Sequence, residues 1–287
     1  MAQERKNHTM PSMNKRRKSA ALAVQAVLAG LLLAAATAPA QAQKGTPPSQ
    51  AQAQLEQQAL DSAAMAAPLL DKIDAGGSVT DQEVKDARIG LLEPIMLVKA
   101  AYRRETDAIE VRYVQEVMAL KPQLMLSTAY LASPALRSQT RSQLGPWKQA
   151  IAAYKVQMEA ANARGLRGIK ATEPLFPASV YQPIARGFGR AVRLNGDFVA
   201  SLVASETAVV AGVAALLDLL DATNPQDYVF EQDPAPRLLF RDQATLNRYN
   251  QLLNSVKSAS QESAKAKARL SQALVTPDAR PGAPSRP

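Results

Sequence analysis

The chain has 287 residues, of which 47% are hydrophobic, with no cysteine and a single histidine, His8. These two deficits exclude disulfides and thiol chemistry, and they exclude a Ser-His-Asp triad from the chain beyond residue 8. The formal net charge of +9 favours anionic partners, unless the basic residues are concentrated in one segment.

Residues 1–42 are predicted to be a secretory signal peptide. Four basic residues at 15–18 precede an apolar run at 19–36, and small residues follow at the positions that a signal peptidase requires. Cleavage is expected after Ala42 or Ala40, with Met1 and Met13 both open as the start. An uncleaved anchor helix is the alternative. Export predicts a periplasmic or secreted protein.

Much of the positive charge lies in that segment. Six of the 34 basic residues and one of the 25 acidic residues precede residue 43, so the mature chain carries only +4. The remaining charge is uneven, because residues 137–193 hold ten basic and two acidic side chains, a local charge of +8. The rest of the mature chain is therefore net acidic.

The first half of the mature chain is predicted to be helical. Residues 43–54 read as a polar linker, and 55–73 as a first helix that Gly76 and Gly77 end. Thr80 and Glu83 fit a capping box at the start of a long helix that reaches about Leu120. Pro94 is expected to bend or interrupt this helix near its start. We expect a single helical-bundle domain over 55–275.

Helix starts and breaks mark the centre of the chain. Pro122 permits a new helix, and Ser133-Pro134 resembles an N-cap followed by proline at the first helical position. Gly145-Pro146 is predicted to break the helical pattern, which resumes at 147–164. Residues 165–177 contain two glycines and two prolines, and they are predicted to be a loop.

The strongest helical pattern follows this loop. Ser179 is expected to cap a helix that ends near Asp221. Short runs that favour β-structure at 228–230 and 238–240 suggest a hairpin, and Asp242 is expected to cap the last helix. The Pro-rich residues 276–287 are predicted to be disordered. The fold class is therefore all-α: an elongated bundle of about four to six helices, with a small β-hairpin before the last helix.

The final part of this pattern resembles a known family. The order of capped helix, long helices and hairpin, followed by Phe240-Arg241-Asp242-Gln243 and then Arg248-Tyr249-Asn250-Gln251-Leu252-Leu253, is similar to bacterial envelope helical proteins of a domain of unknown function. The resemblance implies a helical architecture and an envelope location. It brings no catalytic residues.

No catalytic, cofactor or metal site is predicted. Beyond residue 42 the chain lacks the motifs of nucleophile elbows, phosphate loops and Ser-x-x-Lys nucleophiles. Two acidic pairs, Asp218 with Asp221 and Glu105 with Glu110, are interpreted as solvated helix faces rather than as carboxylate pairs of a glycosidase. Residues 74–83 resemble a calcium loop, yet neither the register that begins at Lys72 nor the one that begins at Asp71 supplies enough oxygen ligands. A glycine-ended helix followed by a capped helix explains the same residues.

The basic segment is the candidate binding site. Arg186, Arg190 and Arg193 recur at four and three residues, which places them on one helical face suited to phosphates or carboxylates. Arg164, Arg167 and Lys170 are expected to add charge from the adjoining loop. The alternative is an ordinary solvated face.

We therefore predict a non-enzymatic envelope protein with a structural or interaction role. It docks on an anionic lipid or polymer surface, or on an envelope protein, through residues 137–193. Nucleic acid is not expected as a partner, nor is a transmembrane span after cleavage, and self-association stays open. A carrier of a small apolar ligand or lipid between bundle helices is the alternative.

Overall fold

The computed structural model describes residues 50–74, 77–231 and 236–275. The predicted signal peptide at 1–42 and the predicted tail at 276–287 lie outside these residues. The described part confirms the predicted all-α class with a small antiparallel hairpin before the last helix. The α-helices and strands are α1 (Gln50–Asp74), α2 (Asp81–Asp86), α3 (Glu93–Ala119), α4 (Pro122–Met125), α5 (Thr128–Ala132), α6 (Pro134–Ala171), α7 (Ala178–Ala222), β1 (Tyr228–Glu231), β2 (Arg237–Phe240) and α8 (Gln243–Val275).

The chain forms two compact units. Of the described residues, unit 1 takes those up to Ala101, the segment Gly168–Ala191 and those from Ala268 onward, and unit 2 takes Tyr102–Arg167 and Val192–Lys267. Several helices contribute residues to both units. The single domain expected over 55–275 stays a prediction.

In unit 1, two local features set the start and the end of α2. The hydroxyl of Thr80 accepts a hydrogen bond from the Glu83 amide at 3.1 Å, and the Glu83 carboxylate accepts one from the Thr80 amide at 2.8 Å, as the capping box predicts. Arg88 and Gly90 then adopt positive φ angles of 49° and 72°. These angles cannot continue a right-handed helix, so the helix expected from Thr80 to Leu120 is divided into α2 and α3. The interruption lies just before Pro94, near the start of the predicted helix.

The first helix also begins earlier than expected. α1 starts at Gln50, inside the segment predicted as a polar linker, and continues through Pro68 to Asp74. Its inner face places Ala66, Leu70 and Ile73 in the core of unit 1. The free energy gained by burying this apolar stripe exceeds the cost of placing Pro68 inside the helix.

In unit 2, parts of α3, α6, α7 and α8 surround one hydrophobic core. Fully buried members of the core include Met158 on α6 and Val210, Leu216 and Leu220 on α7. Gly212 of α7 permits a close approach of α8, because a Cβ at this position would overlap the Val256 side chain.

The α6 helix corrects two expectations. It passes without a break through Gly145 and Pro146, and it continues to Ala171, so the loop predicted at 165–177 is reduced to the segment after Ala171. Leu144 and Trp147 are both buried beside the exposed Pro146. This packing offsets the cost of a helical proline, about 3 kcal/mol.

Local signals predict the starts of two of the three remaining long helices. Ser133 caps α6 through a 3.4 Å bond from the Leu136 amide, and Asp242 caps α8 through a 2.7 Å bond from the Thr245 amide, as predicted. The α7 helix begins at Ala178, so Ser179 lies in its first turn rather than at the cap.

The hairpin belongs to unit 2. β1 pairs antiparallel with β2 in a register that places Tyr228 opposite Phe240 and Val229 opposite Leu239. The rings of Phe240 and Tyr249 lie 5.0 Å apart, which joins the hairpin to α8. Tyr228 and Leu238 face the core.

Candidate functional site

The three basic residues predicted in a loop lie on a helix. Arg164, Arg167 and Lys170 are exposed residues of α6, since that helix extends to Ala171. Arg164 forms an ion pair with Glu105 of α3 in unit 2, and this hydrogen bond raises the pKa of Arg164 further above its usual value. Arg164 therefore already has a carboxylate partner within unit 2. Lys170 lies in unit 1.

The predicted arginine row lies on α7. Arg186, Arg190 and Arg193 are all exposed, while the same helix buries Ile184, Phe188 and Val192. The spacing therefore places the guanidinium groups away from the core, as expected for an amphipathic helix. Arg186 and Arg190 belong to unit 1 together with Lys170, and Arg193 belongs to unit 2.

The beginning of the basic segment has a structural role that the sequence did not suggest. Arg137 is only 4% exposed, and its Nε donates to Asp221 at 2.7 Å. One of its terminal nitrogens donates to the Leu131 carbonyl at 2.8 Å and to the Tyr228 hydroxyl at 3.2 Å. One guanidinium thus ties α5, α6, α7 and β1 together in unit 2.

Arg141 extends this network to the surface. It donates to Asp218 at 2.7 Å and to Asp221 at 2.8 Å. Burial alone would raise the pKa of Asp221, but hydrogen bonds from Arg141 and Arg137 outweigh burial and hold the pKa below its usual value. Asp218 and Asp221 are both exposed on α7, as expected for a solvated helix face, and both also pair with Arg141. The spacings 137/141 and 218/221 were a usable signal, since each places two charges of one sign on one helical face.

Polar side chains also lie inside unit 2. The Tyr102 hydroxyl donates to Asn162 at 2.7 Å, and the Asn195 amide nitrogen donates to both of them at 3.1 Å. Burial raises the pKa of Tyr102 to about 12, although the Asn195 hydrogen bond opposes it. Neutral groups of this kind fix the register of α3, α6 and α7 and supply no nucleophile near neutral pH.

Two aromatic rings are in contact between α3 and α6 in the core of unit 2. The rings of Tyr113 on α3 and Tyr154 on α6 lie 4.6 Å apart. Burial raises the pKa of both hydroxyls, and the carboxylate of Glu206 adds to this effect at Tyr113. These tyrosines stay protonated at physiological pH and act as packing groups.

The described residues include no group of three or more His, Cys, Asp or Glu side chains arranged to hold a metal ion. At the segment that resembles a calcium loop, Glu83 accepts hydrogen bonds from the Thr80 amide and from Lys72. Hydrogen bonds from Lys72 and Thr80 lower the pKa of Glu83 to about 2. This carboxylate therefore serves the predicted helix cap.

An open groove of about 820 Å³ runs along α8, lined by Asn247, Asn250, Gln251, Asn254, Ser255, Ser258, Ala259 and Glu262. All of these residues lie on one helix, so among the described residues only α8 supplies a wall to the groove. Ligand sites usually enclose most of the ligand surface.

The α7 helix meets the length and composition of a membrane span. It contains an 18-residue stretch of mean hydropathy 1.8, of which 39% is buried. Core helices of soluble proteins meet the same criteria, and the fully buried Val210, Val213 and Leu216 give α7 a core role in unit 2.

No protein-family model, curated protein or solved structure matches this chain.

Proposed function

We propose that this chain is an exported, non-enzymatic helical protein of the bacterial envelope that docks on an anionic surface. The observation that carries the proposal is the exposed pair Arg186 and Arg190 on α7, with exposed Lys170 in the same unit. Guanidinium groups one turn apart suit phosphate oxygens, which they bind in a bidentate manner.

Several residues of the basic segment 137–193 already pair with carboxylates of the protein. Arg137, Arg141 and Arg164 are engaged by carboxylates inside the protein, and Lys155 lies 3.9 Å from Glu159. The docking surface is assigned to Lys170, Arg186 and Arg190 because all three are exposed residues of unit 1.

The carrier of a small apolar ligand stays a prediction. The groove along α8 is open and lined mainly by amide and hydroxyl side chains, and such a surface does not suit an apolar molecule. The resemblance to envelope proteins and the periplasmic or secreted location also stay predictions.

A vesicle-sedimentation experiment tests the docking proposal. Protein purified from cells expressing the whole chain is mixed with vesicles of phosphatidylcholine or of phosphatidylcholine with phosphatidylglycerol. We expect binding to the anionic vesicles alone, and loss of binding in high salt, because salt screens exposed charges. The Arg186→Gln/Arg190→Gln variant should bind more than about tenfold less tightly, at about 1 kcal/mol for each basic residue.

A matched variant removes the same charge elsewhere. Arg112 on α3 and Arg248 on α8 are both exposed, so Arg112→Gln/Arg248→Gln should leave vesicle binding nearly unchanged. An equal loss in the two variants would show that net charge rather than position controls binding. Absence of binding to anionic vesicles at low salt would refute the lipid surface as the partner.

A further inference from the structure

The outer face of the hairpin in unit 2 carries an exposed apolar pair. Val229 and Leu239 lie directly opposite each other and are 51% and 40% exposed, whereas Tyr228 and Leu238 on the inner face are buried. Side chains alternate between the two faces of a strand. The next outward pair is Glu231 and Arg237, which form an ion pair at 2.6 Å.

This outer face is unusual for a hairpin at a protein surface. An antiparallel sheet with one face on the core normally exposes polar residues on the other face. Here a valine and a leucine are exposed as a directly opposed pair, where cross-strand side chains are close enough to form one apolar patch. A partner that covers the pair removes this apolar area from water.

The four outward side chains also form a self-complementary pattern. Consider two hairpins packed face to face about a twofold axis that runs parallel to the strands. Such an axis sets β1 of one copy over β2 of the other, so Val229 meets Leu239 and Glu231 meets Arg237, twice each. An isologous interface requires this correspondence, in which residue i contacts j and j contacts i.

We infer that a second copy of this chain covers the hairpin, and that the outer face of β1 and β2 is a homodimer interface. Every apolar group then meets an apolar group, and every charge meets its opposite. The inference does not depend on the proposed docking function, because none of the three docking residues lies on the hairpin. The patch of four side chains is smaller than the roughly 800 Å² per partner of a stable complex. The dimer is therefore weak and forms at high protein concentration.

Sedimentation equilibrium of the purified protein over a wide concentration range tests the inference. The average mass should rise from that of a monomer toward that of a dimer. Val229→Arg should weaken the dimer by about tenfold or more, since a charge enters an apolar contact. Val111 on α3 is an exposed valine of the same unit at 52%, so Val111→Arg is the matched control and should leave the association unchanged.

A charge exchange separates this geometry from other interfaces. Glu231→Arg places two cations on the outer face and Arg237→Glu places two carboxylates there, so each variant alone should lose self-association. An equimolar mixture of the two should form a heterodimer, because each cation then faces a carboxylate of the other copy. Both variants lose the ion pair between residues 231 and 237 within one copy. This loss therefore cannot explain why the mixture associates when each variant alone does not.

Three outcomes would overturn the inference. The wild-type protein would stay monomeric at the highest concentration reached, or Val229→Arg and Val111→Arg would weaken the dimer equally, or the mixed variants would fail to associate. Circular dichroism of each variant verifies that its helix content is unchanged, so that a loss of association reports on the interface.

Discussion

At the scale of single residues, Arg137 shows how one buried charge can organise several elements. Its guanidinium is buried, yet it has a carboxylate, two main-chain carbonyls and a hydroxyl as partners. Buried charges are tolerated only when they are paired and hydrogen-bonded, as this guanidinium is through Nε and one terminal nitrogen. The residue was counted within a binding segment because the sequence shows its charge and not its partners.

We expect Arg137→Met to destabilise the protein by about 3 kcal/mol, because the carbonyls of Leu131 and Ala132 and the Tyr228 hydroxyl lose a charged donor. Arg141→Met is the control. It removes an exposed partner of the same Asp221 and should cost at most about 1 kcal/mol. Urea unfolding followed by circular dichroism measures both changes, and equal effects would contradict the structural role of Arg137.

At the scale of helices, two glycines of α7 differ in what surrounds them. A Cβ at Gly212 would overlap the Val256 side chain, whereas a Cβ at Gly189 meets no atom within 4 Å. Gly212→Ala should therefore destabilise the protein by about 1 to 2 kcal/mol through overpacking. Gly189→Ala should stabilise it by up to about 1 kcal/mol through helix propensity.

Thermal unfolding of the two glycine variants beside the wild-type protein checks this prediction. The two midpoints should move in opposite directions. A rise in the midpoint for Gly212→Ala would show that α8 can shift away from α7 at little cost, and it would refute the close contact as a source of stability.

The cap of α2 gives unit 1 a dependence on pH. Hydrogen bonds from Lys72 and Thr80 lower the pKa of Glu83 from 4.5 to about 2. A carboxyl whose pKa is lower in the folded state stabilises the fold above the unfolded pKa, and this contribution is lost as the pH falls through the folded pKa. The pH window in which this stabilisation is lost therefore extends from about pH 4.5 down to about pH 2.

We expect Glu83→Gln to lower the thermal midpoint at pH 7, because glutamine keeps the cap geometry and loses the charge that pairs with Lys72. The difference from the wild-type protein should shrink through the window from pH 4.5 to pH 2. Melting curves at several pH values test this, and a difference that is constant with pH would contradict it. Lys85→Gln, an exposed charge on the same helix, serves as the control.

At the scale of the whole molecule, local signals predicted the elements that depend on local chemistry. The capping box at Thr80, the caps at Ser133 and Asp242, and the hairpin all agree with the structure. Each rests on residues close in sequence, whose hydrogen bonds form without help from distant parts of the chain.

The expectations that were wrong depend on tertiary packing. A break at Gly145-Pro146 and a loop at 165–171 follow from the residue types alone, yet both lie inside α6 because their neighbours are buried. Gly168, for instance, accommodates Val98, whose Cγ1 would lie 2.8 Å from an added Cβ. Positions of contact between distant helices cannot be deduced from a single sequence, and intrinsic preference is weaker than such packing.

For the candidate site, the sequence predicted the positions of residues on a helix but not the ion pairs between distant helices. The sequence placed Arg186, Arg190 and Arg193 on one face of a helix, and all three are exposed on α7. It did not reveal that Arg137, Arg141 and Arg164 already have carboxylate partners, because these pairs join residues 59 to 84 positions apart in the chain.

The Arg137 network has a consequence for the lifetime of the native protein. Its bonds to Asp221 and Tyr228 span 84 and 91 positions, so they form only after a long loop has closed. We expect contacts made this late to be absent from the folding transition state, so that Arg137→Met speeds unfolding and leaves the folding rate nearly unchanged. This arginine should then control how long the fold lasts, more than how quickly it is reached.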